Sequence, residues 1–98
     1  MWIETAAQAL RNARVLELRY DGYARSVEVH ACGWTKEGHP VMRAWQVAGG
    51  SKSGERQGWK LMRLDEALGA TVTEAASAAP RTGFKRGDKA MARIVCEV

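Results

Sequence analysis

The sequence predicts a mainly β fold with one N-terminal helix, closed into a small SH3-like or Sm-like partly open barrel. Three observations carry this. Residues Leu16 to His30 alternate apolar and polar on either side of Asp21-Gly22, the pattern of a hairpin. Further short alternating runs follow, separated by Gly- and Pro-bearing turns. A single alanine-rich segment precedes them all. Short strands joined by tight turns curl into a strongly bent sheet, and 98 residues match a barrel of that size in one domain, residues 1–98.

The helix is expected over residues 3–13. Ile3, Ala6, Ala7 and Leu10 recur at helical spacing, Glu4 lies in the first turn where the helix dipole favours an anion, and the alanines raise propensity. A helix this short needs a packing partner to persist. The first strand is expected over 14–20, with Leu16, Leu18 and Tyr20 on one face and Val15, Glu17 and Arg19 on the other. The return strand, 23–34, places Val27, Val29 and Ala31 on one face and Ser26, Glu28 and His30 on the other; Gly33 permits a bend or bulge. A turn at Lys36-Glu37-Gly38-His39-Pro40 leads into a third strand, 41–47. After the polar loop 49–58, a fourth strand covers 59–65, and Asp65 is placed to cap a turn of helix at 66–69. A fifth strand is expected at 70–74, a loop from Pro80 to Gly87, and a last strand at 92–98, where Ile94, Cys96 and Val98 alternate.

Composition narrows the function classes. Apolar residues make up 46% of the chain, ordinary for a globular protein, and no apolar run reaches membrane-spanning length, so no membrane partner is expected. Met1-Trp2-Ile3-Glu4 does not read as a signal peptide, and Cys32 and Cys96 read as buried thiols of a cytoplasmic protein. The net charge of +4 is uneven. Arg81, Lys85, Arg86, Lys89 and Arg93 stand against only Asp88 and Glu97 near the C-terminus, a segment able to attract phosphate at long range.

Catalytic and metal signatures are weak. Gly49 and Gly54 have phosphate-loop spacing, but Glu55-Arg56 follows where Lys and a hydroxyl residue are needed, so the loop offers only backbone N–H groups and Lys52 or Arg56 to an anion. His30 and Cys32, with His39 and Cys96, lack zinc-site spacing, and no metal or other cofactor is expected. The acids are scattered and no orienting partner accompanies the Cys and His residues, so no enzyme is expected. Basic and aromatic residues form the stronger pattern. Arg43 and Trp45 share one strand face, Trp59, Leu61 and Arg63 share another, and Arg25 and Tyr20 fall on core-facing positions. Arginine clamps phosphate bidentately and aromatic rings stack on bases, a combination suited to a nucleotide or single-stranded nucleic acid. The bland alternative packs the tryptophans in the core and pairs the arginines with Glu17, Glu28 and Asp65.

The stretch RVLELRYDGYARSVEVHACGWTKEGHPVMRAWQ resembles the opening of WYL domains. These begin with a helix, a strand ending in an aromatic residue, a short turn, an arginine and a V-E-P-H segment, which here reads Val27-Glu28-Val29-His30. Arg63-Leu64-Asp65 resembles part of a later family strand, whereas the Trp-Tyr-Leu signature is replaced by Val41-Met42-Arg43-Ala44-Trp45. The resemblance covers roughly residues 5–70. It implies an Sm-like, SH3-type barrel and a ligand-sensing role in bacterial transcription regulation. Carried over as ligand-binding residues are Tyr20, Arg25, His30, Arg43 and Arg63, with Trp45 a candidate stacking ring. No helix-turn-helix precedes the barrel, so such a domain would act as a subunit beside a partner regulator protein. The rival expectation is a protein-interaction or homo-oligomerisation module that uses strand edges and tryptophans.

Overall fold

A computed structural model describes residues 2–98. One helix and six strands follow in the order α1 (Trp2–Arg11), β1 (Arg14–Tyr20), β2 (Tyr23–Trp34), β3 (Pro40–Gly49), β4 (Gly58–Arg63), β5 (Ala70–Ala76) and β6 (Arg93–Glu97). All strand pairs are antiparallel, and the sheet runs β4-β3-β2-β1-β5 with β6 paired to the far half of β2. The fold is thus mainly β with an N-terminal helix. Its six-stranded sheet is not closed into a barrel, because β4 and β5 remain separate edges.

Asp21 and Gly22 both take positive φ, as the two-residue β1–β2 hairpin requires. Its register pairs Leu16 with Val27 and Tyr20 with Tyr23. The main core lies between this sheet and α1. Ile3, Ala6, Ala7 and Ala9 of the helix pack on Leu16, Leu18, Val27, Val29, Cys32, Met42, Ala44, Met62 and Leu64. Small alanines let the helix approach the strands closely, and Trp2 ties its start to the end of β4's connection through Nε1–H to the Ala67 carbonyl at 3.1 Å.

A second, smaller cluster of Ala31, Val41 and Met91, with Phe84 and Ile94 against it, sits on the outer face. The sequence expectation put Ala31 on the Val27 and Val29 face. The register of β2 against β3 shifts between Val29 and Ala31, so His30 is an unpaired bulge residue and Ala31 turns outward while Cys32 joins the main core. Two further expectations are corrected. The helical turn expected at 66–69 is a 3-10 turn at Leu64–Glu66, with no side-chain cap, because the Asp65 carboxylate is engaged by Arg63 instead. Cys96 is only partly buried, since it lies on the short last strand.

Candidate functional site

Between β5 and β6, residues 77–92 run across the outer face of the sheet without a strand of their own; we call this segment the strap. The sheet residues beneath it follow from alternation. Met42 and Ala44 point into the main core, so Arg43 and Trp45 point out. Trp45 pairs across the ladder with Glu28 on one side and Trp59 on the other, placing all three on the outer face. His30, two residues on from Glu28, joins them on that face.

Glu28 and His30 hold the strap. Glu28 is 2% exposed, yet its carboxylate accepts the Ala78 N–H at 2.7 Å and both ends of the Arg81 guanidinium at 2.7 and 3.2 Å. Burial pushes the Glu28 carboxyl up, but these hydrogen bonds outweigh it and its pKa falls below the ordinary 4.5. His30 is fully buried; its Nδ1–H donates to the Glu28 carbonyl and its Nε2 accepts the Arg81 backbone N–H, each at 2.9 Å. A carbonyl can only accept and an amide can only donate, so the ring is held in one neutral tautomer. Burial depresses its pKa, more than the neighbouring Glu28 raises it. Around the imidazole, Trp59 lies edge-on at 4.7 Å and Phe84 at 5.2 Å, and Trp45 meets Trp59 edge-on at 5.3 Å.

Further along the strap, Asp88 accepts Arg43 bidentately at 2.7 and 3.2 Å and the Ala90 N–H at 3.0 Å. Arg43 holds the Asp88 carboxyl below the ordinary carboxylate range against the opposing effect of burial. Between these anchors opens a groove of about 590 Å³, lined by Arg43, Trp59, Gly83, Phe84, Lys85, Arg86, Gly87, Asp88 and Lys89. It offers two half-buried aromatic rings and four cations. Arg43 is neutralised by Asp88, and Arg86 reaches Glu97 at 3.2 Å. Lys85 and Lys89 make no ion pair among the described residues.

The expected site residues do not all converge. His30, Arg43 and Trp45 belong to this outer assembly, although Arg43 is committed to Asp88 and His30 to the strap backbone. Tyr20 and Arg25 lie on the core side: Tyr20 packs on the main core, and the Arg25 guanidinium, 5% exposed, donates to the Tyr20 carbonyl at 3.1 Å and Gln46 Oε1 at 3.4 Å. Rings of Tyr20 and Tyr23 lie 5.3 and 5.7 Å from its carbon. Arg63 turns onto Asp65 at 2.6 and 3.0 Å, while its backbone N–H donates to the Tyr20 hydroxyl. Sequence reasoning did not include Trp59, Phe84, Lys85 and Lys89 among the ligand-binding residues; the basic segment was visible, but not the contacts that lay it over Trp59. Near Tyr23 a second depression of about 800 Å³ carries a single cation, Arg56.

Among the described residues no group of three or more His, Cys, Asp or Glu could hold a metal ion, and no helix is long and apolar enough to cross a membrane. No family model, curated protein or solved structure matches the chain.

Proposed function

We propose that the chain is a ligand-binding domain whose outer groove takes a phosphorylated ligand bearing an aromatic base, a nucleotide or a segment of single-stranded nucleic acid. The observation that carries this is the placement of two uncompensated lysines, Lys85 and Lys89, beside the half-buried rings of Trp59 and Phe84 in one groove. Ammonium groups draw phosphate oxygens, and an indole face stacks on any base. Arg43, clamped by Asp88, acts in this reading as a wall that holds the strap rather than as the phosphate ligand.

We read the sheet as an SH3-like or Sm-like barrel opened between β4 and β5. A four-strand meander, a 3-10 turn after β4, and a fifth strand returning to β1 support that reading. The same order of helix, hairpin and later strands fits a divergent WYL-like domain, and with it a regulatory role beside a partner protein.

The salt bridges of Arg43, Arg63 and Arg81 favour a second reading, an interaction module for a partner protein or a second copy of the chain. Fluorescence anisotropy separates the two. The protein is titrated against labelled single-stranded DNA and RNA oligomers at low and at high salt. Salt-sensitive binding that disappears in the Lys85→Ala/Lys89→Ala double variant and weakens in Trp59→Leu supports the groove. Absence of binding at low salt by a folded protein overturns it and leaves the interaction module.

A further inference from the structure

We propose that Cys32 and Cys96 form a reversible intramolecular disulfide, a thiol-oxidation site that takes a small disulfide such as oxidised glutathione as its oxidant. The two residues are direct cross-strand partners in the antiparallel pairing of β2 with β6. Both pack against the main core, so both side chains leave the sheet on the same face. Directly opposed residues of an antiparallel pair have Cα atoms about 4.5–5.5 Å apart, inside the span of about 4.4–6.8 Å that a disulfide bridges. Both are free thiols in this structure.

Their unequal exposure sets the order of events. Cys32 is completely buried, and burial pushes its thiol up to about 11. Cys96, partly exposed, meets the oxidant first. Its thiolate attacks one sulfur of oxidised glutathione, releasing one glutathione thiolate and leaving a mixed disulfide. Cys32 then gives up its proton to solvent and attacks the Cys96 sulfur, expelling the second glutathione. Two protein thiols are oxidised and one glutathione disulfide is reduced to two thiols. Juxtaposition on the ladder offsets the poor ionisation of Cys32. The bond closes a loop from β2 to β6 that contains β3, β4, β5 and the strap, which constrains the unfolded chain.

The test uses the full folded chain incubated with oxidised glutathione, followed by intact mass, thiol counting after denaturation, and a non-reducing digest. Expected are the loss of both thiols, a mass lower by two hydrogens, a monomer, a linked Cys32–Cys96 peptide, and a higher urea midpoint, all reversed by dithiothreitol. Cys32→Ser stops at the mixed disulfide on Cys96, and Cys96→Ser reacts slowly or not at all. A wild-type protein that stops at the mixed disulfide, links two chains, or keeps both thiols while its urea-denatured form oxidises overturns the proposal.

Discussion

At the scale of single residues, His30 carries the clearest consequence. Its ring is wholly buried between Trp59 and Phe84, and a proton on Nε2 would set two donors, the ring N–H and the Arg81 amide, against each other. Charged groups facing it are Glu28 on its own strand and Arg81 on the strap; burial outweighs the favourable Glu28. The folded-state pKa is therefore below the ordinary 6.5, and the unfolded chain binds the proton more readily. By linkage, stability is complete above about pH 6.5 and falls as pH drops through that value towards the folded pKa. Glu28 and Asp88, whose pKa values are lowered in the fold, add a second loss at lower pH, below the ordinary carboxylate values of 4.5 and 3.8. Urea midpoints measured from pH 8 to pH 5 should decline for the wild type and flatten in His30→Gln; an equal slope in both would show that another group titrates. Glu28→Gln removes the charge that receives Arg81 but keeps an acceptor for Ala78. It should cost about 1–2 kcal/mol and speed amide exchange across residues 78–81, while β1 exchange stays unchanged. Glu28 was legible in the sequence as an acid able to pair with an arginine, but not which arginine it takes, because Arg81 lies 53 residues away along the chain.

At the scale of elements, alternation located the β1–β2 hairpin, because each of its strands has one face on the main core and the period of two survives in the residue types; β5, where only Ala70 and Val72 touch that core, carries no such pattern. The bounds of β1 and β2 follow directly from Asp21-Gly22, a turn with one favoured geometry. Bulges were not legible: nothing in Val27-Glu28-Val29-His30-Ala31 marks the extra residue that moves Ala31 to the strap side beside Glu28 and His30. The 3-10 turn was misplaced for a related reason, since Asp65 reads as a cap until Arg63 takes its carboxylate. Gly33 shows how narrowly β6 fits. A Cβ there would run into the Arg93 carbonyl and the Ile94 backbone, neither of which is a flexible side-chain end. Gly33→Ala should destabilise the fold by about 1–3 kcal/mol, with the greatest gain in amide exchange at residues 93–97. A neutral Gly33→Ala would mean that β6 can slide away from β2 without cost.

At the scale of the whole molecule, charge is what the sequence displayed and pairing is what it hid. The C-terminal segment from Arg81 carries five cations and two anions, and a count of cations alone would assign five phosphate contacts to it. Folding spends most of them: Arg81 on Glu28 and Arg86 on Glu97, while Arg93 lies over Trp34 at 5.9 Å. Lys85 and Lys89 remain at the groove. Counterion release on a single strand contributes a slope of about −0.7 per neutralised phosphate, so two lysines give a slope of log K against log salt near −1.4, against about −3.5 for five cations. Binding measured between low and moderate salt should show the smaller slope. Lys85→Ala and Lys89→Ala should each remove about half of it, and Arg86→Ala, whose cation is already satisfied, should leave it nearly unchanged. A slope near the larger value would mean that bound phosphate competes the carboxylates away and the ion pairs open on binding. In that case Glu28→Gln and Glu97→Gln, which release Arg81 and Arg86 beforehand, would strengthen binding rather than loosen the groove.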